Sequence, residues 1–461
     1  MSSLRRAKSS ASEIANWLRS RFIVGLVASL SMTHRLHSYL GYSYPAQLTD
    51  LVKRAWPPDL LMYLPNDWQL RLLLDVAYHA SLLREEQRPV TFRILLGHPD
   101  DVVKADQPPT ALSGISFDRP RPFNEQEVRR ISMAADFFRS LVAVAPYGDE
   151  KLKIWGILLS GTRWVNSVDG GRFTGYPLPT RVVIHALGPG RITVFVGHRR
   201  IAALSGGQLE AYAFDLFQSN WLRESFAGVR KQMQHWLANQ EDNHPSVRVD
   251  IDFIRAVSQN ISRRTLSVVR NAKHGGTLVF IEPEDEAGFA APGGPMRFKY
   301  LLAKSPLRTR YRNLLRSAVL RLSQLAVANH VQNIGWNEYQ SFADRHLGEL
   351  DEAFFEFAHF LGDLMAVDGA LVLSKQYEII GFGAELLSEA PCLSSVRRAM
   401  DLEATIWANE SLDDVGTRHR AVYRLCDQHP KCLAIVISQD GSVRFVKNHN
   451  GTVTYWNQLS W

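Results

Sequence analysis

The amino-acid sequence predicts an α/β protein made of two or three domains. The chain has 461 residues, which is too long for a single hydrophobic core. Hydrophobic residues make up 46% and charged residues 21%, so disordered, collagen-like and small disulfide-rich secreted proteins are excluded. In the second half, short β-branched segments bounded by glycine, proline and aspartate alternate with amphipathic helical segments, as in α/β or α+β domains.

Residues 1–105 are predicted to form a helical N-terminal segment. An apolar run at 22–30 is about nine residues long, whereas a membrane-spanning helix needs roughly 20. His34 and Arg35 follow the run, where a signal peptide would need small residues for cleavage. We interpret the run as an amphipathic helix packed on the protein, and we expect a cytoplasmic protein without a membrane span.

The cysteines and the charge distribution limit the classes of partner. Cys392, Cys426 and Cys432 follow neither a metal-ligand spacing nor a disulfide framework, which favours a reducing compartment. The net charge is +7, and the segment 151–200 contains eight Lys and Arg but one Asp. That segment suits an anionic ligand or a partner surface, and a solvated face is the alternative. No nucleic-acid motif accompanies it, so we expect no nucleic-acid partner.

A second, α+β domain is predicted at 106–245. The stretch 99–125 contains five prolines and is typical of a linker. An amphipathic helix follows at 124–138, and β-branched runs predict the strands of a mixed sheet. Those strands are expected at 153–159, 181–186 and 191–196, with a helix after them at about 207–239.

A third domain, 246–461, is predicted to hold a mixed sheet flanked by helices. Helices are expected at about 250–270, 308–331, 337–366 and 414–428. Strands are expected at about 274–281, 368–374, 377–384, 432–438 and 442–446.

Asp368-Gly369-Ala370 is the first candidate site, at the start of a predicted strand. Glycine and alanine remove bulk beside a carboxylate, so another molecule can approach it closely. Such a carboxylate can orient a metal ion or accept a proton from a hydroxyl group. The alternative is a plain turn, because Asp-Gly is a common turn dipeptide.

The second candidate is Thr417-Arg418-His419-Arg420, which Gly416 introduces at the start of a predicted helix. Helix N-terminal amides and guanidinium groups suit phosphate oxygens, and Asp413 or Asp414 is a candidate N-cap. The alternative is a solvated basic helix start. Cations oppose the helix dipole at this end, however, so an anionic ligand explains them better.

The third candidate is Ser438-Gln439-Asp440-Gly441, which follows a predicted buried strand. Its hydroxyl and carboxylate groups suit a phosphate and its metal ion. The alternative is a hairpin turn with Asp-Gly at its tip.

Taken in order, these segments resemble the diadenylate cyclase family over roughly 250–461. Gly416-Thr-Arg-His-Arg-Ala matches the second signature of that family without a mismatch, and Asp368-Gly-Ala matches the first, with a fitting spacing of about 50 residues. Gly383-Ala-Glu-Leu386 is similar to the family's segment that lines the adenine.

The resemblance implies condensation of two ATP molecules into cyclic di-AMP and two pyrophosphates, with Mg²⁺ or Mn²⁺, between two domains that face each other in a homo-oligomer. It implies that Asp368, with Gly369 and Ala370, lies at the catalytic position near the attacking 3′-hydroxyl group and the metal. The phosphate-binding residues would be Thr417, Arg418, His419, Arg420 and Ser438. Gly383 and Leu386 would contact the adenine, and Asp440 would be a further metal ligand.

Two features depart from the family pattern. Gln439 and Asp440 stand where the family usually has two glutamates, which weakens the case for metal-dependent turnover. An insertion at about 283–337 also separates the first strand of the domain from the next helix. The alternative function is therefore a catalytically weak or inactive nucleotide-binding signalling module.

The N-terminal half resembles, more loosely, the probable sensor regions that precede some bacterial diadenylate cyclase domains. The resemblance rests on Arg119-Pro-Arg-Pro-Phe, the helix after it and the sheet at 150–205. It implies that an unknown small-molecule or protein signal acts on this half. A sensor-regulated diadenylate cyclase is the resulting hypothesis.

Overall fold

The computed structural model describes residues 43–103, 111–148, 150–161, 172, 179–211, 215–239, 247–387, 393–413, 415–439 and 441–458. The apolar run at 22–30, Cys392, Asp414 and Asp440 lie outside these residues. The mixed α/β class predicted from the sequence is confirmed.

The helices are α1 (Pro45–Ala55), α2 (Asp67–Leu82), α3 (Pro99–Val102), α4 (Glu125–Ser132), α5 (Asn220–Ser225), α6 (Ala227–Ala238), α7 (Ile251–Ala272), α8 (Glu286–Ala290), α9 (Arg310–Ala328), α10 (Trp336–Ser341), α11 (Arg345–Leu364) and α12 (Thr417–Gln428). The strands of the first half are β1 (Arg84–Glu85), β2 (Arg88–Pro89), β3 (Phe92–Leu96), β4 (Ser113–Pro122), β5 (Ser140–Pro146), β6 (Leu152–Leu159), β7 (Val182–Gly188), β8 (Arg191–Val196), β9 (Arg199–Ser205) and β10 (Gln208–Ala211). The strands of the second half are β11 (Arg248–Val249), β12 (Gly276–Ile281), β13 (Met296–Leu301), β14 (Asn333–Ile334), β15 (Ala370–Ser374), β16 (Ile379–Leu386), β17 (Ser395–Ala399), β18 (Trp407–Ser411), β19 (Leu433–Ile437), β20 (Val443–His449) and β21 (Thr452–Gln458).

The N-terminal half is built on an eight-stranded sheet in the order β10-β9-β8-β7-β3-β5-β6-β4. The pair β3–β5 is parallel, and the other pairs are antiparallel. Helices α1 and α2 share one apolar core with this sheet, to which Leu48 and Leu73 contribute from the helices and Ile94 and Val194 from the strands. The helices are therefore part of the sheet domain, and the boundary predicted at 105/106 separates β3 from the strands that it pairs with.

The C-terminal half contains a nine-stranded sheet in the order β13-β16-β15-β12-β19-β20-β21-β17-β18. One face packs on α7, α9 and α11, and the other face packs on α12. Residues of β12 alternate between the faces, with Leu278 in the first core and Val279 in the second, as the two-residue period of a strand requires. Asp250 is the N-cap of helix α7, and its carboxylate accepts a hydrogen bond from Asp252 N at 2.9 Å.

Two further predictions differ from the structure. The proline-containing stretch 99–125, predicted as a linker, includes the ten-residue strand β4. Pro120 and Pro122 fit there because β4 is the exposed edge of its sheet and carries a register shift between Ser116 and Arg121. The helix predicted at about 207–239 is instead a strand, a short turn and helices α5 and α6, because Gly206 and Gly207 turn the chain back onto β9.

A buried hydrogen-bonded cluster joins the two halves at Gln458, the last residue of β21. Its amide oxygen accepts a hydrogen bond from Leu216 N at 3.0 Å, and its amide nitrogen donates to a carboxylate oxygen of Glu210 at 3.2 Å. Glu210 in turn lies 3.7 Å from the guanidinium group of Arg200. The N-terminal sheet is therefore in direct polar contact with the C-terminal sheet. Across the described part of the chain, no helix is long and apolar enough to cross a membrane.

Candidate functional site

The predicted site residues lie at the ends of three neighbouring central strands, β15, β12 and β19, along one side of the C-terminal sheet. We call this row of strand ends the site edge. Thr277 pairs with Ala370 in the parallel pair β12–β15, and Gly276 pairs with Ile437 in the antiparallel pair β12–β19. Asp368 and Ser438 therefore flank Gly275 on either side. Because neighbouring strands lie about 4.8 Å apart, the backbones at these two flanking positions are roughly 10 Å apart.

Gly369 holds Asp368 at a close approach of two strands. Its φ of +119° favours glycine, and a Cβ at this position would lie 2.5 Å from the carbonyl carbon of Gly383. Gly383 also has a positive φ, +59°, and the β15–β16 register shifts beside Ala370. The Asp-Gly-Ala segment is therefore a strand entry beside a register shift, where the close approach requires glycine, and the Asp368 side chain is 92% exposed.

Lys299 of β13 is the closest cation to this carboxylate among the described residues. Its Nζ lies 3.7 Å from Oδ2 of Asp368 and donates a hydrogen bond to the Asp368 carbonyl oxygen at 3.1 Å. Its aliphatic stem covers Gly383, where a Cβ would meet it at 3.2 Å. The sequence did not reveal Lys299, because it belongs to the insertion 283–337. The sequence did contain one signal of this strand: polar and apolar residues alternate over Arg297, Phe298 and Lys299.

Helix α12 presents its N-terminus to the site edge. Gly416 is its N-cap and makes no side-chain capping bond, so the first-turn amides are not capped by a side chain. Thr417 and Arg418 are exposed, whereas His419 and Arg420 are half-buried. Asp413 does not act as the N-cap, since its carboxylate accepts a hydrogen bond from Ser411 Oγ instead.

Arg418 extends from this helix over Gly275, at the centre of the site edge. A Cβ on Gly275 would lie 2.8 Å from Nη1 of Arg418 and 3.3 Å from the amide nitrogen of Gln439. The guanidinium group, the helix amides and the end of β19 thus surround one small region. Backbone amides and a guanidinium group suit phosphate oxygens.

Tyr423 is a buried residue of α12 that packs the helix against β20 and β21. Its hydroxyl accepts a hydrogen bond from Arg444 Nη1 at 3.2 Å, and its ring stacks on that of Tyr455 at 5.9 Å between centroids. Burial raises the pKa of Tyr423, so the hydroxyl stays neutral at physiological pH. The ring of His419, in the first turn, lies 6.3 Å from that of Tyr423.

At the third segment, a tight hairpin turn links β19 to β20. Ser438 N donates to Ser442 O and Gly441 N donates to Ser438 O, both at 2.9 Å. The backbone of this segment is therefore the hairpin turn that the sequence offered as the alternative. The strand register still places Ser438 at the same end of the sheet as Asp368. Asp440, the candidate metal ligand, lies outside the described residues.

Gly441 in this turn contacts the N-terminal half. A Cβ on Gly441 would lie 2.6 Å from Nη1 of Arg191 and 3.2 Å from Cγ of Arg270. Arg191 begins β8 and belongs to the basic segment 151–200. One cation of that segment therefore touches the candidate site, a contact that the sequence did not predict.

Gly383 and Leu386, the candidate adenine contacts, both lie on β16. Ala384 pairs with Ala370, so Leu386 continues the strand towards the site edge, where Asp368 lies. Leu386 is half-buried, and Glu385 beside it forms an ion pair with Arg297 of β13. In the described chain, no group of three or more His, Cys, Asp or Glu residues is arranged to hold a metal ion.

Comparison with known proteins identifies part of the N-terminal half. Residues 60–159, about a fifth of the chain, match the family described as the probable sensor domain DACNV. The matched range extends from the turn before α2 to the end of β6. This match confirms the predicted sensor region but begins earlier than residue 106. No curated protein matches the chain.

Proposed function

We propose that the chain is a sensor-regulated diadenylate cyclase, which condenses two ATP molecules into cyclic di-AMP and two pyrophosphates. One observation carries the proposal: Asp368, Gly275, Ser438 and the Arg418 guanidinium group meet at the site edge, although they are far apart in sequence. This convergence joins both signature segments into a single surface with a carboxylate on one side and phosphate-binding groups on the other.

The reaction requires two such surfaces, so the proposal includes a homo-oligomer in which two domains face each other. The 3′-hydroxyl oxygen of each ATP attacks the α-phosphorus of the other ATP. A new phosphodiester bond forms, the bond between the α-phosphorus and its bridging oxygen breaks, and pyrophosphate leaves. The hydroxyl proton passes to a base or to water. Phosphoryl transfer of this kind depends mainly on in-line positioning and charge neutralisation.

In this proposal, each candidate site residue has one role. Arg418 and the free amides of α12 bind the phosphates, with Thr417, His419 and Arg420 in the same turn. Ser438 contacts them from the end of β19. Asp368 orients the 3′-hydroxyl group from the opposite side, and Gly383 and Leu386 leave room for the adenine. The register shift that follows Ala370 sets where the main chain of Asp368 enters the strand.

Mg²⁺ or Mn²⁺ fits the donor set of the site edge. Mg²⁺ in proteins is commonly held by one or two carboxylates together with substrate phosphates, and Asp368 supplies an exposed carboxylate beside the phosphate-binding turn. When bound, the ion would neutralise phosphate charge and lower the pKa of the attacking hydroxyl group.

Regulation is supported by the sensor domain match and by the contacts between the halves. Arg191 touches the turn that follows Ser438, and Glu210 bonds to the end of β21. A signal that shifts the N-terminal sheet would therefore displace the phosphate-binding side of the site directly. The proposed signal is a small molecule or a protein.

A nucleotide-binding module without turnover is the second candidate. The proximity of Lys299 to Asp368 favours it, because the ammonium group competes with a metal ion for the carboxylate. Gln439, a neutral amide where the family has a glutamate, favours it as well. Incubation of the full chain with ATP and Mn²⁺, followed by chromatography of the nucleotides, separates the two. Cyclic di-AMP supports the cyclase, whereas calorimetric ATP binding without product supports the module.

A further inference from the structure

A cavity lies at the far end of the C-terminal sheet from the candidate nucleotide site. It is bounded by α6, α7 and the strand ends marked by Lys375, which follows β15, and Leu433, which begins β19. Asp368 and Ser438 lie at the opposite ends of those same strands. Each strand has five residues, so the two places are separated by about 17 Å along the sheet.

The cavity floor is aromatic. The rings of Phe226, Phe280 and Tyr377 form a cluster in which Phe280 lies 5.4 Å from each of the other two, centroid to centroid. Phe217 and Phe445 extend it, with centroids 5.6 Å apart. Flat apolar faces of this kind suit a planar or aliphatic ligand body.

Three cations line the cavity walls, and they differ in how fully a carboxylate neutralises each of them. Lys375 is paired with Glu282 at 2.5 Å, and Arg255 lies 3.3 Å from Asp252, whose side chain is 59% exposed. An exposed pair of the second kind contributes little, because water and salt screen it. None of the described residues that line the cavity is acidic.

Arg230 is the least compensated of the three cations. It is half-buried, and its guanidinium group donates a hydrogen bond to the main-chain oxygen of Arg223, which carries no formal charge. Burial and the positive charge of Arg255 lower the pKa of Arg230 by more than nearby Asp252 and Tyr377 raise it, although the group remains charged. A negative group between Arg230 and Arg255 would compensate the half-buried charge of Arg230 and offset the repulsion between the two arginines.

We infer that this cavity binds a small organic anion, whose apolar body packs on the phenylalanine rings and whose carboxylate or phosphate group meets Arg230 and Arg255. The cavity volume is about 40 Å³, well below that of sites for drug-sized molecules, so the ligand is no larger than a single ring with its anionic group. The inference does not depend on the proposed cyclase activity, because no residue of the nucleotide site lines the cavity among those described. The site lies on α6, which connects the sensor sheet to the C-terminal sheet.

The test is calorimetric titration of the full chain with phenyl phosphate and, separately, with benzoate. We expect at least one of them to bind, and which one does distinguishes a phosphate from a carboxylate ligand. Benzyl alcohol should bind at least tenfold more weakly, since it has the ring without the charge. Arg230→Gln and Arg255→Gln should each weaken the binding at least tenfold, as expected for the loss of charge-assisted hydrogen bonds.

Matched variants keep the result interpretable. Lys231→Gln removes an exposed cation next to Arg230 and should leave the affinity unchanged. Arg418→Ala should also leave it unchanged, which excludes binding of the probe at the nucleotide site. If Arg230→Gln fails to fold, Arg255→Gln gives the same information. Absence of binding up to millimolar concentrations, equal binding of benzyl alcohol, or binding that survives a folded arginine variant would overturn the inference.

Discussion

The guanidinium group of Arg418 rests directly on Gly275, although 142 residues separate them in the sequence. A Cβ at Gly275 would lie 2.8 Å from Nη1 of Arg418 and 2.8 Å from the carbonyl oxygen of Ile437. The carbonyl oxygen is fixed by the β12–β19 pairing, whereas the arginine side chain can move. The glycine therefore determines where the candidate phosphate-binding cation lies.

Replacing Gly275 by alanine should consequently weaken ATP binding. The methyl group would meet both Nη1 of Arg418 and the fixed carbonyl oxygen of Ile437, so it displaces the arginine and strains the end of β12. The loss of charge-assisted hydrogen bonds of about 1.5–3 kcal/mol corresponds to at least a tenfold loss of affinity. Calorimetry with ATP measures it. Gly293→Ala is the matched control, because Gly293 also has a positive φ, +78°, but has nothing within 4 Å of its Cβ position. Equal affinities in the two variants would contradict this role of Gly275.

Much of this arrangement could be predicted from the sequence, because local patterns determine it. Strand and helix periodicity gave α7, α12, β12 and β15 within a few residues. The signature segments indicated Asp368 and Arg418 as parts of one site. Strand β21 was missed, although Asn450-Gly451 at its start is a typical hairpin turn with positive φ at both residues.

The remaining features depend on contacts between distant segments, which the sequence alone does not specify. Lys299 reaches Asp368 because β13 pairs with β16, and no local pattern fixes that pairing. Arg191 reaches Gly441 because two separate sheets pack together. The cavity beneath α6 likewise combines residues from helices and strands that the sequence places far apart. Long-range pairing is therefore what sequence reasoning could not supply.

Asp368→Asn should abolish cyclisation and leave the fold intact. The side chain is 92% exposed, so the thermal midpoint should stay within measurement error. Loss of one preorganised electrostatic group costs about 2.7–4 kcal/mol of activation free energy, which reduces turnover at least a hundredfold. The rate of cyclic di-AMP formation is the measurement, and Asp363→Asn, an exposed carboxylate at the end of α11, is the control. Near-normal turnover would remove Asp368 from the mechanism.

Arg418→Ala should lower ATP affinity at least tenfold, and adding Arg420→Ala should lower it further. The Nε of Arg420 is buried and makes no hydrogen bond in the described structure, so it is a donor that a phosphate oxygen would satisfy. Calorimetry of the single and double variants measures both steps. Lys431→Ala, an exposed cation beyond the other end of α12, should have no effect. Unchanged affinity in the double variant is incompatible with a phosphate site at this turn.

Lys299→Gln should lower the Mn²⁺ concentration needed for half-maximal activity. The ammonium group lies 3.7 Å from the Asp368 carboxylate and competes with a divalent ion for it. An exposed pair contributes up to about 1 kcal/mol, so the requirement should fall by up to about fivefold. Activity measured across a Mn²⁺ titration tests this. Arg297 lies on the same strand as Lys299 and forms an ion pair with Glu385 of β16. Arg297→Gln breaks that pair and should leave the Mn²⁺ requirement unchanged. An unchanged or higher requirement in Lys299→Gln would show that the lysine does not compete.

Arg191→Gln should loosen the turn that follows β19 and reduce cyclisation. The guanidinium group packs against Gly441, so its removal takes away the support that the N-terminal sheet gives to the turn carrying Ser438. Faster amide hydrogen exchange at 438–442, measured by mass spectrometry, is the direct readout, because exchange reports local opening without requiring activity. Arg199→Gln is the matched control, since Arg199 begins the neighbouring strand β9 and pairs with exposed Asp59 instead. It should leave exchange at the turn unchanged. If Arg191→Gln leaves both exchange and turnover unaltered, this contact does not couple the sensor domain to the site, and the coupling would rest on Gln458 and Glu210.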